Sequence, residues 1–398
     1  MALGADTLDL IEGIKIIDAD THLSEPHDLW TSRAPARLKG RVPRVERFGD
    51  RRAWVIDQDI VLGGPLSGAS PISVIRKDGS KSRSLEFFGW QIEDVHPGSY
   101  AVAERLAVMD ASNIHAQIVY NNILGFGGQQ AGKVDAELRL ASIEIFNDAM
   151  AEMQAESKGR LFPMALLPWW DVRQSVRETE RVHRMGLRGV NINSDPHNQQ
   201  GVPDLADPHW DPLWAACAGL GMPVNFHIGA SDSALEWFGS SFWPSESPDV
   251  RFAIGSSMLF FGNARVMANI LLSGILDRHP TIKFVSVESG IGWIPFLLET
   301  LEYQLAENAA GHRFALTPAE YFARNIYACF WFERRNIADS IRQVGVDNVL
   351  FETDFPHPTC LYPDPLTHAA PGLAALDVAS RRKILSENAA RVYSIPLG

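Results

Sequence analysis

Ile14-Lys15-Ile16-Ile17-Asp18-Ala19-Asp20-Thr21-His22 is the stretch on which the reading of this chain turns. It begins as a short apolar run and stops in side chains that bind metals. In an extended strand alternate residues share a face, so Asp18, Asp20 and His22 point the same way. A carboxylate and an imidazole two residues apart at a strand end form a two-ligand clamp. The plain alternative is a strand that runs into a polar turn. Further ligands at equivalent places elsewhere in the chain decide between the two.

Working outward, the same kind of apolar run recurs. Strands are predicted at 116–121, 161–167, 187–192, 223–227, 282–288, 325–330 and 348–354. Helices are predicted between and after them at 101–112, 135–157, 172–185, 209–219, 263–278, 293–307, 334–344 and 379–392. Short continuous apolar strands are what a parallel sheet covered on both faces requires. With the opening strand this makes eight strands alternating with helices, the pattern of an α/β protein with a (β/α)8 TIM barrel. A doubly wound open sheet is the rival, but no G-x-G-x-x-G follows the first strand.

The 398 residues suit one barrel domain, 1–398, with an inserted cap or hairpin segment after strand 1, at about 40–100. That segment is rich in Pro, Gly, Ser and Arg, and Arg51–Asp57 followed by Gln58–Leu62 reads as a hairpin. Its aromatics, Trp54, Phe87, Phe88 and Trp90, either cover a pocket or pack on one another. A hydrophobic fraction of 46% with 21% charged residues describes an ordinary globular chain. The net charge of −12, with no basic run, argues against nucleic acid as a partner. Three cysteines, Cys217, Cys329 and Cys360, without a C-x-x-C, fit a reducing compartment. No signal peptide and no apolar stretch long enough for a membrane span is read, so a cytoplasmic protein is expected.

In such a barrel, function sits at the C-terminal ends of the strands. Those ends carry Asp20 and His22, then His227, Glu288 and Asp354, each directly after its apolar run. One histidine closing a strand is usually a hydrogen-bonded structural residue. Several metal-type side chains at one rim are harder to explain that way. Two imidazoles among carboxylates suit Zn²⁺, Mn²⁺ or Fe²⁺ better than Ca²⁺ or Mg²⁺.

The ordered motifs Asp18-Ala-Asp-Thr-His-Leu-Ser-Glu-Pro26, Asn225-Phe-His-Ile-Gly229, Ser286-Val-Glu-Ser-Gly-Ile-Gly-Trp293, Glu352-Thr-Asp-Phe-Pro-His357 and Asn388-Ala-Ala-Arg391 resemble the amidohydrolase superfamily. More narrowly, they resemble the amidohydrolase-2 branch typified by aminocarboxymuconate-semialdehyde decarboxylase. The resemblance implies Asp20, His22, His227 and Asp354 as ligands of one divalent ion, Zn or Mn. It also implies a catalytic role for Asp354, which would handle the proton of a metal-bound water. His357 and Glu25 are candidates for supporting those ligands. One departure stands out: known decarboxylases of this branch usually carry a histidine where this chain has Glu288. Glutamate can shuttle protons if burial raises its pKa, or coordinate the metal itself. The carboxylate-rich set, with Asp20 in place of a histidine, moves the metal expectation toward Mn²⁺.

After strand five lies a dense aromatic run containing Trp237, Phe242 and Trp243, with Arg251 close by. It predicts walls and a cation for an aromatic or carboxylated small-molecule substrate. Arg265 is a second candidate cation. The function expected is a metal-dependent hydrolase acting on an aromatic or ring-cleavage-derived acid, amide or lactone. Its rivals are a non-oxidative decarboxylase of a carboxylated aromatic or muconate-type acid, and a non-catalytic binding barrel. A homo-oligomer is expected.

Overall fold

In the computed structural model, which describes residues 5–63 and 68–397, the opening stretch is a strand, β1 (Ile16–His22), buried along its whole length. A small antiparallel sheet follows: β2 (Arg44–Phe48), β3 (Arg51–Ile56) and β4 (Ile60–Val61). The expected hairpin is the β3–β4 pair, and β2 adds a strand that the sequence reading did not include. Then come β5 (Ile114–Tyr120), β6 (Leu161–Pro163), β7 (Val190–Asn191), β8 (Val224–His227), β9 (Phe284–Val287), β10 (Ile326–Phe330) and β11 (Val349–Phe351).

These seven strands and β1 lie in two parallel sheets, ordered β1-β5-β6 and β11-β10-β9-β8-β7. Each edge of one sheet is linked to an edge of the other by an isolated parallel bridge, Thr21 with Phe355 and Ala165 with Val190. At the first junction His22 N–H donates to Phe355 O (2.7 Å) and Asp354 N–H to Asp20 O (3.0 Å). At the second, Asn191 N–H donates to Ala165 O (2.8 Å). These bonds put the residues that follow β11 beside the end of β1.

Alternation along the strands separates two apolar layers. Ile17, Ala19, Ala116, Ile118, Val285 and Leu350 pack together, while Ile16, Ile114, Phe284 and Phe330 face a larger layer shared with the helices. Side-chain caps start several of these helices. Asp135 accepts from Glu137 N–H and Leu138 N–H ahead of Ala136–Glu156, and Asp171 does the same ahead of Val172–Arg184.

The helices depart from expectation in several places. The helix expected at 263–278 begins much earlier, as Pro248–Leu272, with Pro248 in its first turn. Part of the aromatic run read as loop is therefore helical, and Asp232–Gly239, capped by Ser231, is a further helix within it. Pro318–Asn325 is a helix outside the expected set, opened by the Thr317–Glu320 capping box. The final helix is broken by a π-helical turn, Lys383–Glu387, between Val378–Arg382 and Asn388–Tyr393.

The segment at about 40–100, of which 64–67 lie outside the described residues, packs in two places. Trp54 is buried edge-on against Trp30 and His27. Val74, Ile75 and Phe87 pack with Phe355 and Cys360 of the loop after β11. Among the described residues no helix is long and apolar enough to cross a membrane. The reading of the amino terminus rests partly on residues 1–4, which lie outside the described residues.

Candidate metal centre

The strand-end residues converge. Asp20 and His22 close β1, His227 closes β8, Glu288 follows β9 and Asp354 follows β11, and all five are buried. His22 Nε2 lies 3.4 Å from Asp20 Oδ1, 3.4 Å from Asp354 Oδ1 and 3.7 Å from Glu288 Oε2. It lies 3.3 Å from His227 Nε2, which is itself 3.2 Å from Glu288 Oε2. Asp20, His22, His227 and Glu288 each bring a ligand atom within 4.8 Å of the others, and so do His22, Glu288, Asp354 and His357.

The bonding of these atoms points to a cation. Both carboxylate oxygens of Asp20, one of Glu288 and one of Asp354 are buried without a hydrogen-bond donor among the described residues. Burying such oxygens unpaired is costly, and a cation among them removes the cost. Burial, together with the charge of Asp354, pushes the Asp20 and Glu288 carboxyls well above the usual carboxylate range. Burial holds His22 well below the usual imidazole range and His227 down at about 4, so both rings are neutral. His227 Nδ1 lies 3.0 Å from the carbonyl of Ile228, to which it donates, leaving the Nε2 lone pair directed into the cluster. Neutral imidazoles and carboxylates are the donor set of Zn²⁺, Mn²⁺ or Fe²⁺.

Glu288 and Asp354 take φ values of 54° and 59°, a region non-glycine residues rarely occupy. Such strain concentrates at functional sites, where the surroundings over-determine the conformation. Glu288 N–H donates to Glu352 Oε2 (3.2 Å), and Asp354 N–H is held by Asp20 O. Beneath the centre, Asp18 accepts from Thr353 N–H (2.8 Å), Thr353 Oγ1 (2.6 Å) and Gln117 Nε2 (3.0 Å). Arg105 donates to His22 O (2.6 Å) with its guanidinium 4.5 Å from the Phe355 ring.

His357 stacks on His22 with ring centroids 3.5 Å apart, its Nδ1 3.3 Å from Asp354 Oδ1 and its Nε2 2.9 Å from Asn122 Oδ1. Glu25 lies behind that contact, accepting from the backbone N–H groups of Asn122 (2.7 Å) and Ile123 (3.0 Å). Burial raises its pKa to about 7. Asn122 and Phe126 were not singled out in the sequence, although they follow the end of β5. The Phe126 ring lies 4.1 Å from His227 and 5.3 Å from His22. A search for ionisable strand-end residues passes over an amide and a phenyl ring.

The residues expected to hold substrate are not among the groups gathered at the centre. Trp243 is 76% exposed. Trp237 is half-buried in the helix Asp232–Gly239. Phe242 packs on Phe238, with the Arg251 guanidinium 5.4 Å from its ring. Arg265 pairs with Asp195 through two hydrogen bonds of 2.8 and 2.7 Å. None of the five lines the cavity of about 490 Å³ beside Thr359, where the same aromatic-rich run contributes Phe252 and Phe260 instead. Thr359 connects that cavity to the centre, its hydroxyl donating to Asp354 Oδ2.

Parallel α/β sheets with imidazoles and carboxylates gathered at the C-terminal strand ends define a protein built around a metal-binding type of centre. The amidohydrolase family Amidohydro_2 matches residues 17–395, and the chain belongs to it. A gamma-resorcylate decarboxylase of Rhizobium sp. (strain MTP-10005) is 26% identical over 312 residues, covering 73% of this chain and 86% of that one. The fold is shared with an amidohydrolase from Mycobacterium avium subsp. paratuberculosis K-10, with a TM-score of 0.75 at 23% identity over 96% of this chain and 99% of that one. It is also shared with a dihydroxybenzoic acid decarboxylase from Polaromonas sp. JS666, bound to manganese and the inhibitor 2-nitroresorcinol, with a TM-score of 0.58 at 17% identity over 96% and 97% of the chains.

Proposed function

We propose that this chain is a metal-dependent, non-oxidative decarboxylase of a hydroxylated aromatic acid. Decarboxylation is favoured over the expected hydrolysis because two of the three named proteins, those of Rhizobium and Polaromonas, are decarboxylases of aromatic acids. The observation that carries the reading is the placement of the buried Glu288 carboxyl, which follows β9 in a strained backbone conformation with Oε2 3.2 Å from His227 Nε2. It stands where this branch's decarboxylases usually have a histidine, and a protonated carboxylic acid does the same work of supplying a proton.

Asp20, His22, His227 and Asp354 are the proposed ligands. Manganese is the proposed ion, supported by the carboxylate-rich donor set and by the manganese-bound Polaromonas protein. A divalent cation held there supplies positive charge for the substrate carboxylate and a neighbouring oxygen. Glu288 gives its proton to the ring carbon bearing the carboxyl group. The bond between that carbon and the carboxyl group then breaks, its electron pair restores the aromatic ring, and CO₂ leaves. Asp354, oriented by Thr359 and His357, fixes the far side of the site. Phe126 excludes water from the two imidazoles.

The eight parallel strands are proposed to act as one (β/α)8 barrel domain over 1–398, with the segment at about 40–100 as its cap. Support comes from the bridges that join both edges of the two sheets. A cytoplasmic location is supported by three buried free thiols. A homo-oligomer is supported by exposed Trp243, Phe296 and Tyr303 and is tested by sedimentation.

The deciding experiment incubates manganese-loaded protein with 2,6-dihydroxybenzoate in D₂O. The expected result is CO₂ release and one deuterium on the ring carbon that lost the carboxyl group. Incorporation of ¹⁸O from labelled water into the organic product would establish hydrolysis instead.

A further inference from the structure

We propose that the cavity beside Thr359 binds the half of the substrate remote from the metal, and that the substrate is an aromatic acid extended by a second ring or similar apolar group with an anionic end. This rests on the decarboxylase reading for the reacting end of the molecule only. The cavity, of about 490 Å³, falls in the range of roughly 300–1,000 Å³ that holds drug-sized ligands. Val74, Leu85 and Phe87 form one wall, Phe252 and Phe260 of the helix Pro248–Leu272 another. Pro358 and Thr359 form the third wall. Its wall adjoins the centre, because the lining residue Thr359 donates to Asp354 and the lining residue Val74 donates from its N–H to Pro356 O (3.0 Å).

None of Asp20, His22, His227, Glu288 and Asp354 lines this space. A single-ring acid held at the centre by its carboxylate would leave it unfilled. The walls are already set against each other: Phe88 lies 4.2 Å from Phe87 and 5.7 Å from Phe252 between ring centroids. Behind Phe260, at 5.3 Å, the buried Trp331 indole N–H has no acceptor among the described residues. Three charged residues border the cavity. Lys81 donates to the carbonyl of Cys360 and Asp249 accepts from Ser247, whereas Arg83 is exposed and makes no hydrogen bond or ion pair among the described residues. An arginine so placed at the mouth of an apolar cavity matches an anion at the far end of the ligand.

The test is calorimetric binding to manganese-loaded protein, with CO₂ release followed separately. The probes are 2,6-dihydroxybenzoate and derivatives carrying phenyl or carboxyphenyl at ring position 3 or 4. The best extended acid is expected to bind about tenfold more tightly than the parent, equivalent to ~1.4 kcal/mol. Ala253→Trp, at an exposed position of the lining, is expected to bring that ratio to about one, and Arg83→Ala to remove the preference for carboxyphenyl over phenyl. Equal affinity of parent and extended acids, or a ratio unchanged in Ala253→Trp, overturns the proposal. A binding advantage without CO₂ release from any acid leaves the cavity assignment standing and overturns decarboxylation.

Discussion

His22 and His227, closing strands that lie in different sheets, bring their Nε2 atoms to 3.3 Å. His227 is committed to the tautomer that donates from Nδ1 to a carbonyl, so its Nε2 offers a lone pair. Two neutral imidazoles facing each other among unpartnered carboxylates gain little from each other and much from a shared cation.

The first prediction follows from that pair. Purified protein reconstituted with Mn²⁺ is expected to hold about one equivalent by elemental analysis, and His22→Ala or His227→Ala less than about a tenth of that. Metal at about 100 times its Kd should stabilise the fold by ~2.7 kcal/mol, read as a rise in Tm. Unchanged metal content in both variants would remove these histidines from the site.

Glu288→Gln keeps the shape of the side chain and removes its transferable proton. CO₂ release is expected to fall by about 10²–10⁴-fold while the bound metal is retained. If CO₂ release stays within a few-fold of the parent, another group donates the proton.

Glu25 provides a test of pH-dependent stability away from the metal ligands. Its folded-state pKa of about 7 lies above the ordinary 4.5, so the unfolded chain loses this proton first as pH rises. Its contribution to stability is full below about pH 4.5, declines through the window up to about 7, and is gone above it. Glu25→Gln keeps the acceptor for Asn122 N–H and Ile123 N–H without the charge. It is expected to match the parent at pH 5 and to be more stable at pH 8 by on the order of 3 kcal/mol, measured by urea denaturation of metal-free protein. Equal stability at both pH values would contradict the buried-carboxyl account.

Arg265 is expected to matter for stability and not for substrate. Arg265→Met leaves Asp195, 2% exposed, without its guanidinium partner. The loss is expected at about 3–5 kcal/mol, with the KM of the folded variant unchanged. A raised KM at unaltered stability would return Arg265 to the substrate site.

The sequence by itself determined the strand rhythm and the rim residues. Apolar runs and the polar residues that end them are local, and a strand end places a side chain through neighbouring residues alone. Asp20, His22, His227, Glu288 and Asp354 were legible for that reason. The tertiary structure decided what each one meets. Asp18 takes its donors from Thr353, and His357 takes Asn122, partners 335 and 235 positions away along the chain. Arg265 faces Asp195 because helix and strand-end loop pack together, which removes it from the list of free cations. The aromatic run after β8 divides in the same way. Its composition announces apolar walls, but helical phase sends Phe252 and Phe260 to the cavity, while Trp243, in the loop between two helices, stays in solvent. Local pattern fixes which residues stand at the rim; packing across the sheets fixes which of them touch.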